Sequence, residues 1–185
     1  MKMFLIVMKG HPCTGKSTLA RKIAQGLGCP LLDKDDIKGP LTARSGDGNA
    51  ANALALEILW LVVKKQCALG VTCVVDTTLS SAGQLAEALE SARAASPAGD
   101  LVVVECRTLD EGVWRRRVQE RREAARASDA HKPKSWEDLR ALVESYHGSF
   151  EYDPRALGAG HYFRVDTSTG ASFDEALGEI RGLVK

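Results

Sequence analysis

Residues 10–17 read Gly10-His11-Pro12-Cys13-Thr14-Gly15-Lys16-Ser17 and follow, one residue later, an apolar run at residues 4–8. This spacing of glycine, four residues, glycine, lysine and serine is typical of a phosphate-binding loop (P-loop) between a strand and a helix. Its glycines allow successive backbone N–H groups to turn toward an anion, and the following helix adds the positive end of its dipole. The stretch predicts a nucleotide site, with a chance glycine-rich turn as the alternative.

Each polar residue of the P-loop has an expected role. Lys16 would reach the β- and γ-phosphates, and the Ser17 hydroxyl would bind Mg²⁺. We expect the side chain of His11 to point outward. The predicted nucleotide contacts in this region are Gly10, His11, Pro12, Cys13, Thr14, Gly15, Lys16, Ser17 and Thr18.

Composition limits the class of protein. The 185 residues suit one domain, 1–185, and include 44% hydrophobic and 26% charged residues with a formal net charge of +1. That balance indicates a globular chain without an overall bias toward nucleic acid or membranes. The five cysteines are odd in number and contain no C-x-x-C pair, which favours a reducing compartment. We therefore expect a cytoplasmic protein without a membrane-spanning segment.

Short apolar runs alternate with helical patterns, which predicts an α/β fold with a mainly parallel sheet. The predicted strands are 4–8, 30–32, 72–75, 101–106 and 162–165, and the predicted helices are 16–27, 49–69, 81–96, 110–126, 135–147 and 172–183. Residues 38–48 and 124–134 are expected to be mobile loops because of their glycine, proline and polar residues. Helix 49–69 is apolar nearly all round, which favours burial against the sheet, with a dimer interface as the alternative.

Three carboxylates follow the second predicted strand, at Asp33, Asp35 and Asp36. Ligands bind at the carboxyl ends of strands in open α/β sheets, and phosphoryl transfer to a hydroxyl needs a carboxylate that accepts its proton. We interpret Asp35 as that base and Asp33 as a contact to the acceptor. The alternative is an acidic helix N-terminus, in which an aspartate caps free N–H groups.

The third predicted strand ends at Asp76-Thr77-Thr78. An aspartate after an apolar strand is the arrangement that holds Mg²⁺ beside the P-loop serine. We therefore assign Asp76 with Ser17 to the metal. Thr77 and Thr78 would contact either metal-bound water or the acceptor, and Thr78 is our candidate contact to the acceptor.

A basic cluster at residues 115–122 carries the arginines expected to cover the nucleotide. Trp114, Arg117, Val118 and Arg121 are spaced i, i+3, i+4 and i+7 and so share one helical face. Arginines stabilise the charge of a phosphoryl group in transfer, which makes residues 115–134 a candidate lid with Arg117 and Arg121 as catalytic groups and Arg122 as a nucleotide contact. A solvated, ion-paired face or a nucleic-acid patch would give the same pattern.

Two further polar residues have weaker assignments. Thr167 follows the last predicted strand, where loops border the nucleotide base. His131 lies on a polar segment without the spacing of a metal site.

Together these motifs resemble the P-loop kinase group that includes the phage-type polynucleotide 5′-hydroxyl kinase, zeta toxins and chloramphenicol phosphotransferase. The polynucleotide kinase has R-D-D-x-x-R, S-D-T-N-L and an arginine lid after its P-loop. The corresponding residues here are Lys34-Asp35-Asp36 with Lys38, Asp76-Thr77-Thr78-Leu79, and 117–122. The resemblance implies a three-layer sandwich around a five-stranded parallel sheet in the order 2-3-1-4-5, Asp35 as general base, Lys38 as an acceptor contact and Arg121 as the lid arginine.

The sequence departs from this group at three positions. Lysine replaces arginine at Lys34 and Lys38, and a lysine cannot supply the same bidentate grip on phosphate. Cys13 stands where many members have glycine. A side chain at this position would be tolerated if the backbone φ is negative.

The sequence is thus interpreted as an ATP- and Mg²⁺-dependent kinase that phosphorylates a hydroxyl of a small molecule, as a monomer or homodimer. The resemblance narrows the chemistry more than the acceptor, since substrates in the group range from nucleic-acid ends to sugars and antibiotics. A nucleic-acid end kinase is one alternative. The other is a nucleotide-dependent switch that hydrolyses ATP without an acceptor.

Overall fold

The computed structural model describes residues 2–124 and 132–184. Its five strands are β1 (Phe4–Lys9), β2 (Leu31–Asp33), β3 (Cys73–Asp76), β4 (Asp100–Arg107) and β5 (His161–Asp166). Its helices are α1 (Lys16–Leu27), α2 (Lys34–Ser45), α3 (Gly48–Ala68), α4 (Ala82–Arg93), α5 (Glu111–Ala124), α6 (Trp136–Ser145) and α7 (Ala171–Val184). The predicted α/β class is confirmed.

All strand pairs are parallel, and the sheet order is β2-β3-β1-β4-β5, which confirms the predicted topology. Alternate residues of β1 point to opposite faces, as the period of a strand requires. Leu5 and Val7 pack toward α3 and α4, whereas Ile6 and Met8 pack toward α1 and α7. Helices therefore cover both faces of the sheet, and the carboxyl ends of all five strands meet at one edge.

Helix α2 occupies most of the segment 38–48 that we predicted to be a loop, so that prediction is wrong. The Asp33 carboxylate caps its N-terminus by accepting from the Asp35 N–H at 2.8 Å, and Gly46 ends it in the left-handed conformation. Pro40 lies inside the helix, where it removes one backbone donor and its ring crowds the carbonyl four residues earlier. The helix nevertheless continues through Pro40 to Ser45.

The long helix α3 packs one face into the core beside the sheet and leaves part of its apolar circumference exposed. Its buried residues are Ala51, Ala55, Leu59, Trp60, Val63 and Cys67. Leu54, Leu61 and Val62 are exposed. No helix in the two described ranges is long and apolar enough to cross a membrane.

Candidate active site

The P-loop leaves β1 through Gly10 and enters α1 through Gly15, both at positive φ. A Cβ at Gly10 would collide with the Cys106 carbonyl oxygen, so only glycine fits there. The Lys16 ammonium donates to the His11 carbonyl at 2.6 Å, and the Thr14 hydroxyl donates to the same oxygen at 2.8 Å. Burial lowers the pKa of Lys16. The loop thus holds its lysine within the turn, at the amino end of α1.

Cys13 has a φ of 63°, so the condition of a negative φ is not met. A side chain in the left-handed region costs about 1–2 kcal/mol relative to the right-handed one. The side chain is buried against Val118 of α5 and Leu139 of α6, and burial raises the pKa of its thiol. This strained residue therefore packs the P-loop against the two helices above it.

The His11 side chain does not point outward as predicted, because it packs among aromatic rings. Its ring centroid lies 4.1 Å from that of Phe150, 5.7 Å from Tyr146 and 6.3 Å from Trp114. Burial, with the nearby Lys16 charge, lowers the pKa of His11 to about 4. The His11 imidazole is therefore neutral near pH 7. The backbone carbonyl of His11, and not its side chain, faces the interior of the P-loop.

Helix α5 contacts the P-loop through Trp114, whose indole N–H donates to the Pro12 carbonyl at 2.9 Å. Trp114 and Val118 pack in the same small cluster as Cys13. One turn of α5 thus rests on the outer half of the loop, as the shared face predicts.

Arg117 bridges the ends of β4 and β5. Its guanidinium donates to the hydroxyls of Thr108 and Thr167, both at 3.1 Å, and to the Thr167 carbonyl. The Thr167 hydroxyl also contacts the P-loop, donating to the Thr14 carbonyl at 2.7 Å. Arg117 and Thr167 therefore border the loop together.

The other arginines of α5 have varied surroundings. Arg115 and Arg116 pair with Glu111 and Glu120 at 2.6 Å and 3.6 Å, which is the ion-paired face considered as an alternative. The positive charge of Arg121 acts to lower the pKa of both the Lys16 ammonium and the Cys13 thiol. Arg122 is exposed. The rest of the predicted lid at 125–131, including Arg126 and His131, lies outside the described residues.

Asp33 and Asp76 are register partners at the ends of β2 and β3. Burial and the neighbouring Asp76 raise the pKa of Asp33 to about 6. Burial also raises the pKa of Asp76, against the opposing effects of Lys16 and the Ser17 hydroxyl. The structure therefore brings two partly desolvated carboxylates beside the lysine and serine of the P-loop.

The Asp76 carboxylate has one buried oxygen, Oδ2, without a hydrogen-bond partner among residues 2–124 and 132–184. A buried, unpaired carboxylate oxygen is costly unless a cation or donor meets it. Oxygen ligands from a carboxylate and a hydroxyl suit Mg²⁺, which otherwise keeps water and phosphate oxygens. The residues present thus fit the metal assigned to Ser17 and Asp76.

Asp35 begins α2 with two lysines around it. Its carboxylate lies 2.9 Å from the Lys132 ammonium and 3.5 Å from that of Lys34. Lys34 also donates to the Asn52 side chain of α3 at 2.9 Å. Lys38 is half-buried beside this group, and burial followed by the Lys34 charge lowers its pKa. Asp35 and Lys38, two of the residues predicted to handle the acceptor, therefore lie close together.

The loop after β3 contacts the P-loop through Thr78, whose carbonyl accepts from the Gly10 N–H at 3.1 Å. The adjacent Thr77 hydroxyl is buried and has no hydrogen-bond partner in the described part of the chain. Thr77 is thus the more enclosed of the two threonines, a distinction that the sequence does not reveal.

Sequence reasoning missed a buried ion pair between Lys9 and Glu105, at the ends of β1 and β4. Lys9 is only 1% exposed, and burial lowers its pKa. Tyr162 donates to the same carboxylate, and Arg107 lies 3.0 Å from it. Glu105, but not Lys9, lines a cleft of about 520 Å³ together with His11, Arg107 and Arg164. The sequence feature that could have predicted this ion pair is the presence of opposite charges near the ends of two apolar strands.

Comparisons with known proteins agree with this architecture. Residues 5–145 match the model of the AAA_33 family, described as an AAA domain. A search of curated proteins gives no significant match.

Solved structures of similar fold include a candidate kinase from Chloroflexus aurantiacus, with a TM-score of 0.79, 23% identity and 98% of each chain covered. A sugar kinase from Janibacter sp. gives a TM-score of 0.64 at 14% identity, covering 98% of this chain and 95% of the other. Shikimate kinase from Acinetobacter baumannii gives 0.57 at 18% identity, covering 98% and 93%. These identities show the fold alone. The match to the family model extends over more than half of the sequence, and the chain belongs to the AAA_33 family.

Proposed function

We propose that this protein is an ATP- and Mg²⁺-dependent kinase that transfers the γ-phosphoryl group of ATP to a hydroxyl of a small molecule. The observation that carries the proposal is the meeting of three groups at one edge of the sheet: Lys16 in the P-loop, the paired Asp33 and Asp76, and Asp35 between two lysines. A nucleotide-binding loop alone would not need a second carboxylate site.

The donor half of the site is the P-loop with Ser17 and Asp76. Its backbone N–H groups and Lys16 would bind the phosphates of ATP. Ser17 and Asp76 would hold Mg²⁺, which neutralises charge on the phosphates when bound. The buried, unpartnered Oδ2 of Asp76 supports this role.

The acceptor half is built around Asp35. Its carboxylate would orient the acceptor hydroxyl and take its proton while the hydroxyl oxygen attacks the γ-phosphorus and the bond to the bridging oxygen of ADP breaks. The Lys34 and Lys132 ammonium groups lie 3.5 Å and 2.9 Å from the Asp35 carboxylate and would hold it in place. Asp33, Lys38 and Thr78 would contact the acceptor.

Arginines of α5 complete the proposed site. Arg121, whose charge acts on Lys16, would stabilise the phosphoryl group in transfer. Arg117 and Thr167 would border the nucleotide, and Arg122 would approach it when a nucleotide is bound.

Two observations favour a small acceptor over a nucleic-acid end. Arg115 and Arg116 are paired with glutamates, which reduces the charge that α5 offers to a phosphate backbone. The similar folds include a sugar kinase, a gluconokinase from Sinorhizobium meliloti and a shikimate kinase.

The proposal is tested by incubating the protein with γ-labelled ATP, Mg²⁺ and a fractionated cell extract, in parallel with an oligonucleotide bearing a 5′-hydroxyl. We expect label in a small molecule, and none with Lys16→Ala. Label in the oligonucleotide, with binding that weakens steeply as salt rises, would support the nucleic-acid alternative. Release of labelled phosphate alone in every fraction would support the switch.

A further inference from the structure

Helix α3 carries an apolar stripe on the side away from its buried face. The stripe consists of Leu54, Ile58, Leu61 and Val62, and Leu69 continues it just past the end of the helix. Residues spaced i, i+4, i+7 and i+8 lie along one side of a helix. Leu54 is 44% exposed, Leu61 57% and Val62 36%. A 21-residue helix thus presents hydrophobic side chains to solvent along several turns.

This stripe concentrates the exposed apolar surface of the described residues. Their exposed large hydrophobic side chains are Leu54, Leu61, Val62, Leu69, Leu109 and Leu157. Four of these six belong to α3 or its end, whereas scattered single residues would be ordinary. A contiguous stripe of this kind indicates an interaction surface.

Two charged residues beside the stripe indicate what kind of partner would fit it. Glu57 and Lys65 are exposed and stand four residues before and four residues after Leu61. Neither forms a salt bridge within the described part of the chain, and the neighbouring Lys64 is paired with Glu90. In an antiparallel pair of α3 helices centred on Leu61, Glu57 of each helix lies opposite Lys65 of the other. A nucleic acid or an anionic membrane would instead favour charges of one sign.

We propose that α3 is a self-association surface, on which a second copy of this chain packs its own α3 in antiparallel orientation. The two-fold axis passes at Leu61, so that each apolar stripe covers the other and the Glu57–Lys65 pair occurs twice. Because Asn52 of α3 accepts from Lys34, the dimer also supports the segment that carries Asp35. The proposal does not depend on the kinase assignment.

The first test measures the mass and the dimer dissociation constant by sedimentation equilibrium. The wild-type chain of 19.9 kDa is expected to approach twice that mass. Leu61→Glu changes both helices at the axis and should raise the dissociation constant by at least about 100-fold. The matched control is Leu157→Glu, at a residue 46% exposed and so similar to Leu54, which should leave the constant unchanged. Circular dichroism checks that each variant is folded.

The second test exchanges the charges and keeps the proposal falsifiable if Leu61→Glu does not fold. Glu57→Lys alone, or Lys65→Glu alone, places like charges opposite each other and should weaken the dimer about 3- to 10-fold. The double variant Glu57→Lys/Lys65→Glu restores opposite charges and should return to within about twofold of wild type.

Three outcomes overturn the proposal. One is a monomer at every concentration up to about 0.2 mM, a range in which a real dimer of this kind would be populated. Another is a monomer that sediments with phosphatidylcholine–phosphatidylserine vesicles, which assigns the stripe to a membrane surface. The third is a dimer that Leu61→Glu and the charge exchanges leave intact, which places the interface elsewhere.

Discussion

The two halves of the candidate site differ in how their polar groups are held. In the donor half, Lys16 and Thr14 bind the carbonyl of His11, only five and three residues away in the chain. In the acceptor half, Asp35 pairs with Lys132, which is 97 residues away. The phosphate-binding part of the donor half is a local turn of the backbone, to which only Asp76 is added from another strand, whereas the acceptor half is an assembly of charges from distant elements.

That difference also appears in burial. Lys16 and Asp76 are buried, and Gly10 leaves no room for a side chain. Asp35, Lys34 and Lys38 are only half-buried. A rigid donor half would suit a ligand that is always the same. The acceptor half is more exposed to solvent and lined with charges, so its residues could change without disturbing the donor half. Under the proposed function, the fixed chemistry and the variable substrate would occupy different parts of the sheet edge.

The largest effect that would test this division comes from Asp35→Asn. It removes the proposed base and should lower kcat by about 100- to 10,000-fold. The KM for ATP should stay close to the wild-type value because the donor half is unchanged. The measurement is steady-state kinetics on the acceptor found with labelled ATP.

The matched control for this change is Asp36→Asn, which removes the same charge from the same turn of α2 at an exposed position. It should keep nearly all of kcat. Equal losses in the two variants would show that only the general negative charge of this turn matters, and Asp35 would lose its role as base.

Local assembly explains how much could be predicted from sequence. The P-loop and the strand order follow from a motif of eight residues and from the resemblance that it supports. Helix α2 was missed because Pro40 and two glycines are breakers, although the alternative interpretation of Asp33, Asp35 and Asp36 as a capped helix N-terminus already pointed to it. Lys132 beside Asp35, and the Lys9–Glu105 pair, depend on tertiary folding and have no local signature. The φ of Cys13 likewise could not be derived from a pattern of residue types.

A second, smaller effect uses pH to compare the two halves. The pKa of Asp33 is raised from 3.8 to about 6, so its contribution to stability is present below pH 4 and is lost as pH rises through 6. The pKa of His11 is lowered from 6.5 to about 4, so its contribution is present above pH 6.5 and is lost as pH falls through 4. In the wild-type protein, these two opposite effects of pH on the free energy of unfolding partly cancel.

Removing either Asp33 or His11 should reveal the pH dependence that the other residue gives to the free energy of unfolding. Asp33→Asn retains a good helix cap and should make the free energy of unfolding fall more steeply from pH 7 to pH 4, by about 1–2 kcal/mol after allowing for solvent screening. His11→Asn should flatten that fall. Urea unfolding at several pH values provides the measurement. Parallel curves for wild type and both variants would contradict the assigned pKa shifts.

The smallest effect concerns strain within the donor half. At an ordinary position alanine is more stable than glycine by about 0.4–1 kcal/mol, because glycine has a freer unfolded chain. At the φ of 63° of Cys13, alanine retains a cost of about 1–2 kcal/mol that glycine does not have. Cys13→Gly should therefore be more stable than Cys13→Ala by roughly 1 kcal/mol in urea unfolding. Both variants lose the sulfur, so its packing cancels in the comparison.

The control for Cys13 is the same pair of substitutions at Gln25, an exposed position within α1, where alanine should be the more stable. Opposite orders at the two positions would locate the strain in the P-loop. If alanine is the more stable at both, Cys13 does not hold a left-handed backbone in solution. The contact of its side chain with Val118 and Leu139 would then have to be made from a different loop conformation, and the donor half would be less rigid than its hydrogen bonds indicate.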